Sequence, residues 1–333
     1  AAAGGRLYVS TDRGALLCLD AGEGPARAWL PAPAQVDDAA GRAAAAEIVA
    51  RAKVTEGWCA DLGCGDGAPA LALARRTNLA ILAIDADPAN VASARRLLDA
   101  AGLYGPRVTV IEGDPAKPPF PNRFADLVVS GRSALGGAPP PAPEAVARIL
   151  KPCGGVACLG SAGAMAVTTR PAPEGAGDWT HQYAGAGNLG CSADAIARGP
   201  LRILWFRDPD FAVPNRHGRG PAPLVVGGRM FVEGADGIRC TDIYNGRTLW
   251  EHAAPGVLAA YDQDHLMGTA GTGSNMCATE DALYVQTGAR CLRIDPATRT
   301  VTLDGAVVET SAQEYALLLA FLQHPGNVLS RKQ

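Results

Sequence analysis

Between residues 59 and 67 the chain reads Cys-Ala-Asp-Leu-Gly-Cys-Gly-Asp-Gly, which sets glycines at 63, 65 and 67 just after an acidic residue, Asp61. Glycines so spaced permit a tight turn with positive φ and let a ligand approach the backbone more closely than a Cβ would allow. Two ligand classes can use such a turn. Gly63, Gly65 and Ala68 also satisfy G-x-G-x-x-A, the pattern of a nicotinamide dinucleotide site, whose pyrophosphate is anionic. A carboxylate two residues before the first glycine opposes a diphosphate and favours a ligand carrying positive charge, so Asp61 argues for the second class. Asp85 lies 18 residues after Gly67, a gap that suits one helix and one strand. It closes the apolar run LAILAID, where a carboxylate can accept hydrogen bonds from two ribose hydroxyls. Asp114 stands at the end of a third apolar run and Asp126 at the start of a fourth.

The elements that would carry these acids alternate. An Ala-rich helix with an Ile48-Val49 step is expected over Gln35 to Lys53, WCADLGCGDG reads as strand into turn, and APALALARRTN as helix. LAILAID is a strand, PANVASARRLLDAAG a helix ending on Gly102, VTVIEGD and FADLVVSG strands, EAVARILKP a helix stopped by Pro152, and GGVACLG a strand. Strands and helices alternating at this length imply an α/β doubly wound parallel sheet covered on both faces.

In that frame, residues 59–67 resemble motif I of the class I methyltransferases, and the resemblance extends over about 130 residues of a domain placed at 31–170. It implies a Rossmann-like methyltransferase fold with S-adenosylmethionine as cofactor, whose sulfonium supplies the positive charge. The implied cofactor residues are Asp61, Gly63, Gly65, Gly67, Asp85 and Asp114, with Asp85 on the ribose and Asp114 on the adenine amino group. Asp126 matches the position of motif IV and is expected to be structural. Methyl transfer from a sulfonium needs proximity, alignment and exclusion of water, and a general base is optional, so no catalytic residue is assigned. After the fourth strand comes Ser130-Gly131-Arg132, neither the N-P-P-Y of amino methylation nor a Pro-Cys nucleophile. The acceptor is therefore expected to be a small molecule or peptide. Ser130 and Arg132 are candidates to line its pocket or to sit in a solvated loop. Only SAGAMAVTTRP follows the fifth strand, where the family carries a helix and a strand pair, so the far edge is expected to be shortened. Binding without turnover stays open.

Three other stretches repeat one another. GRLYVSTDRGALLCLD from Gly5, GRMFVEGADGIRCTDIYNGRTLW from Gly228 and DALYVQTGARCLRIDPATRT from Asp281 share an apolar triplet (Leu7-Tyr8-Val9, Met230-Phe231-Val232, Leu283-Tyr284-Val285), a glycine turn and a strand closing on Asp20, Asp242 or Asp295. They resemble the blades of quinoprotein-type (PQQ-like) propellers, including forms with a methyltransferase-like insertion. The α/β domain would then be inserted in an incomplete all-β propeller, with repeats at 1–30 and 171–298. Three repeats cannot close a ring of about four to eight blades. Asp178, Trp179, His181, Arg216 and His217 form a polar, aromatic cluster that is either a site or, with Trp205 and Trp250, the means of docking blades and satisfying turns. Residues 299–333 resemble the opening of a response-regulator winged-helix domain, with a hairpin, a helix from Ser311 through Glu314 to Phe321 and a His324-Pro325-Gly326 stop, and no recognition helix.

Composition bounds the partners. A net charge of -3 supplies no basic field for a phosphate backbone, so nucleic acid is not expected. Nine cysteines without a CxxC pair and five histidines without ligand spacing point to reduced thiols and no metal. No apolar run approaches the roughly 20 residues of a membrane span. The start, AAAGGRLYVS, shows no signal-peptide pattern, although propellers of this resemblance are exported to the cell envelope.

Overall fold

The structure is a computed structural model describing residues 1–11, 16–22, 24, 38–207, 221–257, 275–287, 290–297 and 308–309. The chain divides into two compact units, Ala1–Pro171 and Ala172–Gln333.

The first unit opens with strands β1 (Ala2–Ala3), β2 (Arg6–Ser10) and β3 (Leu16–Leu19) in one antiparallel sheet. Leu7 pairs with Leu19 and Val9 with Leu17, the hairpin that the alternating pattern implied. Helix α1 (Ala39–Ala52) begins where the Asp38 carboxylate accepts the Ala40 N–H at 3.0 Å, relieving one of the unpaired donors of the first turn. It is followed by β4 (Glu56–Leu62), α2 (Ala68–Arg76), β5 (Asn78–Asp85), α3 (Pro88–Ala100), β6 (Val108–Glu112) and β7 (Leu127–Val129). A four-residue helix α4 (Gly131–Ala134), then α5 (Pro143–Ile149), β8 (Val156–Leu159) and β9 (Ala166–Thr169) complete the unit.

These strands form one sheet in the order β6-β5-β4-β7-β8-β9, parallel except for the β8–β9 hairpin at the edge. The sequence left that edge bare after β8. The four residues Ala166–Thr169 instead pair there, although their side chains are exposed and carry no apolar face by which to announce a strand. Both faces of the sheet are covered, which is why its central strands read as continuous apolar runs rather than alternating ones. On one face Ala44, Ile48, Leu71, Leu73, Val91 and Leu98 of α1, α2 and α3 pack on Cys59, Ile81 and Val110. On the other, Val146 and Ile149 of α5 pack with Phe120 and Phe124 on Ala60, Leu62, Ile84 and Val128. The order turns back between β4 and β7, so the carboxyl ends of these strands flank the crevice in which open α/β sheets hold ligands.

The second unit contains two antiparallel sheets. One is β10 (Leu224–Val226), β11 (Arg229–Glu233), β12 (Gly237–Asp242) and β13 (Thr248–Ala253); the other is β14 (Met276–Ala278), β15 (Leu283–Thr287), β16 (Arg290–Ile294) and β17 (Val308–Glu309). Phe231, Ile238, Cys240 and Trp250 of the first share a buried core with Leu283, Val285, Leu292 and Ile294 of the second. Val308–Glu309, expected in a separate tail, pair with β16, because an edge strand's free N–H and C=O groups take whichever neighbouring segment is extended. The remaining tail positions, Ser311 to Phe321 and His324-Pro325-Gly326 among them, lie outside the described residues, as do Arg216 and His217. Among the described residues no helix is long and apolar enough to cross a membrane. None of the nine cysteines is in a disulfide.

Candidate functional site

The glycine turn and Asp85 meet because β4 and β5 are neighbouring parallel strands of matched length, Leu62 lying opposite Ile84. Past the end of β4, the Gly63 and Cys64 N–H groups both donate to the Ile84 carbonyl, at 2.9 and 3.1 Å, which folds the chain back across the tip of β5. The next turn residue, Gly65, has φ +59 and donates its N–H to Asp85 Oδ2 at 2.8 Å. Asp85 is fully buried. Its Oδ1 accepts from the Asp87 N–H at 3.0 Å and from Asn90 Nδ2 at 3.2 Å. A carboxylate offers about four lone-pair positions, so these three bonds leave capacity for a hydroxyl donor.

Asp61 plays a different part from the one its position suggested. It is 1% exposed, and its Oδ1 accepts the Gly131 N–H at 2.8 Å, tying the tip of β4 to the start of α4. Burial raises its pKa to about 6 against the lowering effect of that bond, and the charge of Asp85 adds a further upward push. Ser130 caps the same short helix, its Oγ accepting the Ser133 N–H at 3.4 Å. The Arg132 N–H donates to the Gly63 carbonyl at 2.8 Å, and the Arg132 side chain runs over the glycine turn to place Nη1 3.9 Å from Asp85 Oδ1. The sequence left Arg132 between pocket and loop; the structure puts it across the crevice.

The other candidates separate. Gly67 has φ +86, and a Cβ there would lie 2.8 Å from the Ala94 Cβ, so this glycine lets α2 approach α3. Asp114 is exposed beyond β6 and its Oδ1 accepts the Ala116 N–H at 2.9 Å, a local turn bond. Asp126 is 4% exposed, accepts the Trp58 N–H at 2.8 Å and pairs with Lys151 Nζ at 2.6 Å, a structural role. Burial, with Asp61 and Asp85 nearby, pushes the Cys64 thiol far above its ordinary value, which removes it as a nucleophile. Asn90, one turn into α3, was missed; only its spacing of five residues from Asp85 could have flagged it.

In the second unit the aromatic cluster satisfies turns. Asp178 Oδ1 accepts the Gly227 N–H at 3.2 Å, Trp179 bridges to Val225 through its backbone, and His181 Nδ1 pairs with Thr180 Oγ1 at 2.7 Å. The indoles of Trp205 and Trp250 donate to the carbonyls of Ile243 and Pro296 at 2.8 and 2.9 Å.

A parallel sheet with a glycine turn over its switch point and a buried acid at the next strand's tip defines a Rossmann-like domain. Residues 59–154 match the family described as a methyltransferase domain. Solved structures similar to the chain include a Methanococcus maripaludis protein assigned to the S-adenosyl-L-methionine-dependent methyltransferases, with 29% identity and a TM-score of 0.33 over 37% of this chain and 55% of that one. An S-adenosylmethionine-dependent methyltransferase of Aquifex aeolicus shows 20% identity and a TM-score of 0.31 over 37% and 67%. The [4+2]-cyclase SpnF shows 27% and 0.30 over 35% and 43%. The chain thus spans about half the length of the first of these structures. A stretch of 42 residues is 57% identical to the response regulator protein PmrA of Pseudomonas aeruginosa, covering 13% of this chain and 19% of that protein.

The residues present fit S-adenosylmethionine. Asp85 keeps acceptor capacity for ribose hydroxyls, and a Cβ at Gly65 would project into the space over the turn, 3.2 Å from the Arg132 Cγ, so that space is a cradle kept clear of backbone-borne side chains and entered by Arg132 alone among the atoms found near it.

Proposed function

We propose that the 59–154 region binds S-adenosylmethionine over the glycine turn and directs its methyl group to a small-molecule or peptide acceptor. The reading is carried by one observation: Gly65 N–H and the buried Asp85 carboxylate are joined at 2.8 Å at the tips of adjacent parallel strands, with acceptor capacity for ribose hydroxyls left over. The bound cofactor supplies a methyl group on an electron-deficient sulfur. Asp85 would hold the ribose, the turn would admit the methionine moiety against its backbone, and Asp61 would fix the Gly131 end of the wall beside it. Titration calorimetry with S-adenosylmethionine and S-adenosylhomocysteine tests this: both should bind at micromolar concentration, and Asp85→Ala should weaken both by about 1 to 3 kcal/mol, the loss of hydrogen bonds to a charged acceptor. Absence of heat from either ligand with the wild-type chain sinks the proposal.

The alternative, a PQQ-like propeller scaffold with a non-catalytic cofactor-binding insertion, draws on a different observation. Leu283, Val285, Leu292 and Ile294 lie within 9% of full burial against the β10–β13 sheet. Leu7, Val9, Leu17 and Leu19 hold the same cross-strand positions in β2 and β3 and are 37–52% exposed. This equivalence supports reading β1–β3 as a blade whose apolar face belongs against another such sheet. Leu17→Lys and Val9→Lys should then lower the stability of any assembly that buries this face, and unchanged sedimentation and melting would count against it.

A further inference from the structure

Arg132 is the residue whose chemistry the proposed reaction does not require. Its backbone is fixed on both sides: its N–H donates to the Gly63 carbonyl and its carbonyl accepts the Gly137 N–H, each at 2.8 Å. The preceding residue is held by buried Asp61. Its side chain is 40% exposed and crosses the turn, Cγ 3.2 Å from where a Gly65 Cβ would stand and Cδ 3.9 Å from that of Gly63. The guanidinium ends 3.9 Å from Asp85 Oδ1. The stem therefore lies where a methionine moiety would rest on the turn, and the charge lies where ribose hydroxyls would meet Asp85.

Two consequences follow from the anchoring. A nucleoside that takes Asp85 must displace the guanidinium. Because the Arg132 backbone is pinned to Gly63, the displaced cation stays at the mouth of the same crevice. A positively charged sulfur in that crevice is then repelled by a second cation, whereas the neutral thioether left after methyl transfer is not.

We propose that Arg132 is a specificity-determining residue that sets the crevice's preference between the two charge states of the cofactor, disfavouring S-adenosylmethionine relative to S-adenosylhomocysteine. This rests on the methyltransferase reading above.

The test is calorimetry of the full chain and its Arg132→Met, Arg132→Gln and Arg132→Lys variants against S-adenosylmethionine and S-adenosylhomocysteine, at low and at 0.5 M salt. The wild type should bind the thioether more tightly. Arg132→Met and Arg132→Gln should tighten both ligands, since neither variant offers a cation to displace. They should also shrink the ratio of the two affinities by about three- to tenfold, the size of a charge–charge repulsion in a partly hydrated site. Arg132→Lys should restore the ratio, and salt should compress it in the wild type but not in Arg132→Met. A ratio unchanged in both neutral variants, or a loss of affinity for both ligands in them, overturns the proposal while leaving the cofactor assignment standing. Failure of the wild type to bind either ligand overturns both. A side chain so exposed tolerates substitution, and agreement between the Met and Gln variants separates loss of charge from local misfolding.

Discussion

Substituting Gly67 by alanine separates its conformational from its packing role. At φ +86 an alanine suffers the left-handed penalty of about 1 to 2 kcal/mol, reduced by about 0.4 to 1 kcal/mol through the lost freedom of the unfolded chain. Gly102, at φ +69 with nothing within 4 Å of its Cβ position, meets that penalty alone, so Gly102→Ala should cost about 1 kcal/mol. Gly67→Ala adds a methyl 2.8 Å from the Ala94 Cβ and 3.0 Å from its Cα. These atoms belong to or adjoin the backbone of α3 and cannot rotate aside, so α2 and α3 must part. Overpacking of this kind costs about 1 to 3 kcal/mol, which brings Gly67→Ala to about 2 to 4 kcal/mol. Urea unfolding followed by far-ultraviolet circular dichroism gives the totals, and amide exchange in α2 and α3 assigns the loss to the first unit. If the two variants differ by less than about 0.5 kcal/mol, the contact with Ala94 does not limit how closely the helices pack, and the argument from that distance is wrong.

Asp61 should make stability depend on pH with the opposite sign to an ion-paired acid. Its folded pKa of about 6 exceeds the unfolded value of about 3.9, so the folded chain holds the extra proton and stability present in acid is lost as pH rises from about 4 to about 6, amounting to about 3 kcal/mol. Asp61→Asn keeps an acceptor for the Gly131 N–H and should match the wild type at pH 4 but exceed it at pH 7; parallel urea midpoints across that range would contradict this. Glu233, raised to about 7 by burial against the hydrogen bond from Asn275, should behave likewise in the second unit over about pH 4 to 7, and Glu233→Gln should flatten the profile of that unit's melting. Lys151→Met should cost about 3 to 5 kcal/mol by leaving the Asp126 carboxylate buried without its 2.6 Å partner, and Asp126→Asn in the same chain should recover most of it. A single-variant loss below about 1 kcal/mol would show that the pair is not desolvated as its burial implies.

The strands of the α/β domain were legible because burial on both faces leaves an unbroken apolar run, as in LAILAID, and the position of Asp85 at a strand tip followed from the end of that run. What stayed hidden depends on residues far apart in sequence. That Gly67 also packs α2 against Ala94 of α3 is seen only in the fold. Asp126 acquires its role from Lys151, and β9 has no apolar face of its own to mark it, pairing with β8 only because that edge was open. In the second unit the repeats announced hairpins correctly at β11–β12 and β15–β16, since alternation and turn glycines are local. Which sheet each would stack on is not.

The charge argument drawn from Asp61 illustrates the limit most clearly. A carboxylate beside a glycine turn does disfavour a diphosphate, but Asp61 lies 1% exposed and is committed to the N–H of Gly131, 70 residues away. A carboxylate raised to about 6 is only partly charged in mildly acidic solution. The acid a nucleoside would meet is Asp85, and Asp85 already faces a guanidinium delivered by the loop that Asp61 holds. The sign of the potential in the crevice is therefore set by Asp85 at the tip of β5 and Arg132 in α4 together, and a cationic ligand is favoured there only to the extent that Arg132 gives way.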